Sequence, residues 1–191
     1  MENLIKQIKD LKKGDISKII NIRLKEFENV EDLFEELCFC LMTANFRADK
    51  CIQIQKEIGR GFRTLNEREL ATKLKEMGHR FWPQRAKRIV LARDLDLVLD
   101  RDWLVENVKG MGMKEASHFL RNIGIKDVAI IDFHIVDLLV REEVIERPKT
   151  ITPKKYLDIE NILRKIGEKL KISLAELDLY LWYIETGKVL K

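Results

Sequence analysis

The sequence predicts an all-α protein, and three observations carry the prediction. Only 3 prolines and 9 glycines interrupt 191 residues. Apolar side chains recur at three- and four-residue spacing along most of the chain, the period of a helix with one buried face. A single run, Val128 to Ile131, has the β-branched density of a strand.

Residues 2–13 place Leu4, Ile5, Ile8 and Leu11 on one helical stripe, which Gly14 ends. Asp15 stands where a cap is needed for the next helix, carrying Ile16, Ile19, Ile20, Arg23, Leu24 and Phe27. Asn29 stands as the cap of a third, with Val30, Leu33, Phe34, Leu37, Cys38 and Leu41 inward, ending near Thr43-Ala44-Asn45-Phe46. Helices follow at 47–58, 66–76 and 83–94, separated by Gly59 and Gly61, then by Gly78 and Pro83. A short helix over 101–108, the connector Lys109-Gly110-Met111-Gly112-Met113 and a helix over 114–123 come next, stopped by Gly124. Asp132 is placed to cap a helix through Phe133, Ile135, Val136, Leu138 and Leu139. Helices near 153–170 and 173–185, with Thr152 and Ser173 as caps, close the chain. No internal repeat and no low-complexity linker is present.

Composition excludes several classes. Apolar residues are 46% and interspersed, which excludes a disordered tail, and no 18-residue uncharged apolar run exists to span a membrane. Three cysteines in a chain of this length do not make a disulfide scaffold. Met1-Glu2-Asn3-Leu4 carries no apolar signal core, so a cytoplasmic, prokaryotic protein is expected, and the Lys- and Glu-rich composition suits an archaeal or thermophilic source as well as AT-rich coding. The formal net charge of +4, from 36 basic and 32 acidic residues, permits nucleic-acid binding without requiring it.

The informative stretch is 101–139. Two helices joined by Gly-x-Gly form a helix-hairpin-helix at about 101–123. Gly110 and Gly112 are expected to take backbone angles closed to other residues and to let a ligand approach closely. The amides of the turn and of the following helix then converge on one spot that suits an anion, and DNA phosphate is the natural one. Lys114 opens the second helix, where partial desolvation near helix N-termini favours its nucleophilic amine form. Asp132, as a cap, receives backbone N–H bonds that favour its ionised form. An amine and a fixed carboxylate suit attack at an electrophilic sugar carbon with stabilisation of the developing positive charge.

The runs Val108-Lys109-Gly110-Met111-Gly112-Met113-Lys114-Glu115-Ala116-Ser117-His118-Phe119-Leu120-Arg121-Asn122-Ile123-Gly124 and Ala129-Ile130-Ile131-Asp132-Phe133-His134-Ile135 resemble the helix-hairpin-helix DNA glycosylase superfamily, and within it the archaeal-type 8-oxoguanine DNA glycosylase/AP lyases. Leu41-Met42-Thr43-Ala44-Asn45-Phe46 and the C-terminus fit as well; Phe133 departs from an Arg expected in many relatives. The resemblance implies a two-lobe fold with the active site in the cleft between lobes. One lobe would span 29–126 and hold the hairpin, the other 1–28 plus 127–191. It implies base excision repair of 8-oxoguanine in double-stranded DNA, with Lys114 as Schiff-base nucleophile, Asp132 stabilising the transition state, and strand cleavage by β-elimination. Gly110, Gly112, Lys109 and Asn45 would contact DNA, Asn45 beside the orphaned cytosine. Lys191, Trp182, Phe81 and Trp82 would serve base recognition. No redox cofactor or catalytic metal is required; a monovalent cation bridging hairpin carbonyls and phosphate is compatible. A monomer is expected. The alternatives are a glycosylase/lyase for another damaged base, or a non-catalytic helix-hairpin-helix DNA-binding module, which needs neither Lys114 nor Asp132.

Other signals read as structural. Cys38, Cys40 and Cys51 lack metal-ligand spacing and fit core thiols, and no cysteine follows Cys51 to build an iron–sulfur cluster. His79, His118 and His134 are dispersed, and Met111 and Met113 fit packing. Arg80, Arg85, Lys87, Arg88 and Arg93 form a basic run that suits either a solvated face or backbone contact with DNA.

Overall fold

The computed structural model describes residues 1–191 as twelve α-helices and no strand. In order they are α1 (Glu2–Lys12), α2 (Asp15–Glu28), α3 (Leu33–Thr43), α4 (Ala48–Ile58), α5 (Gly61–Thr64), α6 (Glu67–Glu76), α7 (Trp82–Ala92), α8 (Arg101–Asn107), α9 (Met113–Asn122), α10 (Phe133–Arg141), α11 (Pro153–Leu170) and α12 (Leu174–Thr186). No helix is long and apolar enough to cross a membrane. The chain divides into two compact units, one of Met1–Asn29 with Arg121–Lys191, the other of Val30–Leu120.

In the first unit α12 packs against α2, α10 and α11, and Leu174, Leu177, Leu179, Tyr180 and Leu181 are buried along it. A helix apolar nearly all round belongs in a core. Its one buried acid, Asp178, meets Arg121 at 3.5 Å, and that guanidinium lies 4.6 Å from the Phe27 ring centre. Charges taken out of water need such partners. Gly124 has φ +91°, and a Cβ there would stand 3.2 Å from the Glu28 backbone, so the turn after α9 needs glycine for both conformation and space.

In the second unit α3 is buried from Phe34 through Thr43 apart from Glu35, and it packs on α4 and α7. Arg93 donates to the Phe62 carbonyl at 2.8 Å and the Leu65 carbonyl at 2.6 Å, closing off the end of α5.

Thr152 and Ser173 cap their helices, accepting from Lys155 N at 3.2 Å and Glu176 N at 3.1 Å. Two caps differ from expectation. Gly14, not Asp15, precedes α2, and Asp15 is the first helical residue. Asn29 ends α2, its amide donating back to the Lys25 carbonyl at 2.6 Å, while Asp32 caps α3 by accepting from Glu35 N at 2.9 Å. Arg63 settles that choice by donating to Asp32 at 2.7 Å. Residues 128–131 belong to no helix and pair with no strand.

Candidate active site

The hairpin lies in the second unit. After α8, Val108 accepts from Met111 N at 3.0 Å, and Gly112 begins α9 by accepting from Ala116 N at 3.0 Å. Gly110 sits at φ +91°. The conformation demands glycine, and a Cβ there would stand 2.5 Å from both Cδ and Nε of Arg88 and 2.6 Å from its Cζ, so the end of that side chain would have to move. Gly112 corrects the expectation: its φ is not in the left-handed region, and a Cβ would make an ordinary contact with Glu115 at 3.4 Å. Its amide donates to Glu115 Oε2 at 3.3 Å, the reach-back of a third helical residue to the N-cap. Lys109 is exposed beside it.

Lys114 is the second residue of α9. Its side chain is 24% exposed and its Nζ lies 4.0 Å from Glu115 Oε1. Met111 is buried, as a packing residue should be, and buried His118 meets the Phe39 ring edge-on at 5.7 Å.

Asp132 lies in the first unit. It caps α10, accepting from Ile135 N at 3.0 Å. The chain leading to it is fixed by α11. Glu160 accepts from Ala129 N at 2.8 Å, the Tyr156 hydroxyl donates to the Ala129 carbonyl at 2.7 Å and accepts from Ile131 N at 3.1 Å. Two side chains one turn apart on α11 thus satisfy polar groups of a buried backbone that no strand pairs with. Neither was expected from sequence; the available signal is a Tyr and a Glu four residues apart on an otherwise apolar helical face. After Asp132, the Phe133 ring is 65% exposed and lies 3.9 Å from the His134 ring. His134 meets Trp182 edge-on at 5.4 Å. Asp132, Phe133, His134 and Trp182 therefore gather in one unit, which also carries the partly buried Lys191.

Asn45 lies in the second unit with φ +56° and an exposed side chain. Its turn is pinned from three sides. Arg85 donates from Nη2 to the Ala44 carbonyl at 2.6 Å, and Phe46 N donates to the Thr43 carbonyl at 3.0 Å. His79 Nε2 lies 3.1 Å from the Met42 carbonyl, its Nδ1 accepts from Phe81 N at 3.2 Å, and its ring lies 4.2 Å from that of Phe46. These contacts select the tautomer with hydrogen on Nε2. Burial pushes the His79 imidazole down from its ordinary value. Phe81 and Trp82 are in this unit too, partly buried, with cations over their faces: Arg80 at 4.5 Å and Arg85 at 5.5 Å from Phe81, Lys75 at 5.3 Å from Trp82.

Arg85 is not on a solvated face. It is 3% exposed, and its Nε and Nη1 have no acceptor in the protein. Burial pushes its guanidinium down, and the Arg88 charge acts in the same direction. The three thiols are buried in the core, and burial pushes Cys51 up to about 12, which leaves it an inert packing group.

The family profile Ogg-HhH, 8-oxoguanine DNA glycosylase, matches residues 18–172. The 8-oxoguanine DNA glycosylase/AP lyase of Methanocaldococcus jannaschii is 53% identical, covering 98% of this chain and 99% of that protein. That of Thermotoga maritima is 44% identical over 99% of both chains. The crystal structure of the Methanocaldococcus jannaschii glycosylase/lyase in complex with DNA containing 8-oxoguanine superposes with a TM-score of 0.93 at 52% identity, over 98% of this chain and 99% of that one. The Thermotoga maritima enzyme superposes at 0.92 with 44% identity, over 100% and 99%. The chain belongs to the 8-oxoguanine DNA glycosylase family of helix-hairpin-helix proteins.

Proposed function

We propose that this protein removes 8-oxoguanine from double-stranded DNA and then cleaves the strand, acting as a monomeric cytoplasmic enzyme of a prokaryote. The observation that carries the reading is Lys114, second residue of the helix that follows the Gly110 turn, in a chain of the 8-oxoguanine DNA glycosylase family. The turn and the first amides of α9 grip a backbone phosphate without reading sequence. The damaged nucleotide leaves the stack for a pocket. Lys114 Nζ attacks C1′ of its sugar as the bond to the base breaks, and the base departs with the bonding pair and takes up a proton. Asp132 stabilises the positive charge that spreads over the sugar ring. The lysine–sugar adduct opens to an iminium, loses a proton from C2′, and expels the 3′ phosphate by β-elimination; water then frees Lys114.

Base recognition falls to Lys191 and Trp182, with Phe81 and Trp82 as further aromatic faces, and Asn45 contacts the strand opposite the lesion. No redox cofactor or catalytic metal takes part. A monovalent cation fits the hairpin, where the Lys109, Gly110 and Met111 carbonyls accept no backbone amide; bound there it would offset phosphate charge. A non-catalytic DNA-binding module leaves unexplained both Lys114 and the bracing of the segment before Asp132 by Tyr156 and Glu160.

The test is a strand-cleavage assay on duplexes with 8-oxoguanine opposite each of the four bases, alongside oxidised pyrimidine lesions. Excision of 8-oxoguanine in preference to the pyrimidine lesions is expected. Excision of the pyrimidine lesions alone would move the assignment to another damaged base, and binding without excision of any lesion would reduce the protein to a binding module.

A further inference from the structure

We propose that Arg88 is a phosphate-binding residue of the hairpin, seated over the turn by the missing side chain of Gly110. The proposal rests on the reading above, that the hairpin holds DNA backbone. Arg88 comes from α7, outside the helix-hairpin-helix itself. Its Cδ, Nε and Cζ occupy the space that a Cβ on Gly110 would take, at 2.5 to 2.6 Å. The guanidinium and the end of its stem are thus laid along the turn rather than left to swing in solvent. Any side chain at 110 would displace them.

Charge points the same way. Arg88 is half-buried, with the end of its side chain against the Gly110 turn. Its electrostatic neighbour is Arg85, another cation, whose Nε and Nη1 are themselves buried without an acceptor. The nearby carboxylate of Glu115 is already engaged by the Gly112 amide. The Arg88 charge acts on Arg85 more strongly than the opposing charge of Glu115 does, and the repulsion is relieved when a further anion arrives. A backbone phosphate held by the hairpin amides lies within reach of this turn, and a planar guanidinium suits phosphate oxygens. Arg88 then supplies a fixed charge to a contact that the amides make only with partial charges. This also accounts for a net charge of only +4: the cation that matters is placed, not numerous.

The experiment measures binding of the unaltered protein, Arg88→Gln and Arg88→Lys to two short duplexes, one undamaged and one with a stable abasic-site analogue, from 50 to 250 mM salt. Each phosphate contact contributes about 0.9 to the slope of log affinity against log salt. Arg88→Gln should lower the slope by about that amount and weaken both duplexes by the same factor, about tenfold near 100 mM salt. Arg88→Lys should keep the slope. The slope is insensitive to the fraction of folded protein, so partial unfolding of a variant does not imitate the effect. An unchanged slope in Arg88→Gln, an equal fall in Arg88→Lys, or a loss confined to the abasic duplex would each overturn the proposal. If the unaltered protein bound neither duplex, the DNA-repair reading itself would fail and take the proposal with it.

Discussion

Glu115 ties the hairpin to Lys114: one of its oxygens accepts from Gly112 N at 3.3 Å and the other lies 4.0 Å from Lys114 Nζ. The first contact is a cap and the second a loose ion pair, and they separate by substitution. Glu115→Gln retains an acceptor for the amide and should leave the melting temperature nearly unchanged. Glu115→Ala removes it and should cost about 1 kcal/mol in urea unfolding. Equal destabilisation by both variants would show that the charge, not the cap, is what holds the turn.

His79 makes stability depend on pH. Burial holds its folded-state imidazole below the ordinary value, so the unfolded chain takes up the proton first as pH falls. Stability should be level above about pH 6.5 and decline below it, through the lowered folded value. Protonation at Nδ1 would also remove the acceptor for Phe81 N. His79→Gln should flatten this part of the profile in unfolding followed between pH 5 and 8. An undiminished slope in the variant would place the effect on another group.

What could be read from sequence was local. Lys114, Gly110 and the Asp132 cap announce themselves within a few residues of their own helices, and the helical periods around them are regular. What the sequence does not disclose is long-range. Asn29 and Asp32 are both sound caps by type, and the decision came from Arg63, far along the chain. Arg85 carries the same charge as its solvated neighbours, and only the fold brings it to the Ala44 carbonyl. The β-like run at 128–131 forms no strand, and its partners are side chains of α11. Gly112 looked like the twin of Gly110, yet pattern does not disclose which of two glycines takes the positive φ.

Tyr156 is the brace behind Asp132. Tyr156→Phe deletes a donor to the Ala129 carbonyl and an acceptor for Ile131 N in a buried segment. A loss of about 1–3 kcal/mol in stability is expected. Excision per folded molecule should fall as well, on the order of tenfold, because the carboxylate at 132 is no longer held in place. Active-site titration with single-turnover kinetics separates the two effects; a purely thermal defect would make Tyr156 a core residue and nothing more.

Asp132 caps α10, and its proposed catalytic role can be separated from the cap by one substitution. Asn caps a helix as well as Asp, so Asp132→Asn should keep α10 and the protein's stability. It removes the charge that, in the proposed reaction, stabilises the sugar cation. Excision should slow by a factor on the order of a hundred or more while affinity for an abasic-site duplex is retained. Retained excision with lost binding would assign Asp132 to DNA contact instead.

In the proposed reaction Lys114 Nζ forms a covalent bond to the sugar of the damaged nucleotide. Incubating the protein with duplex DNA containing 8-oxoguanine in the presence of borohydride, then mapping the cross-linked peptide by mass spectrometry, tests it directly. A reduced adduct on Lys114 that disappears in Lys114→Gln is the predicted result. An adduct on another amine, or excision of 8-oxoguanine by Lys114→Gln at the unaltered rate, would contradict it.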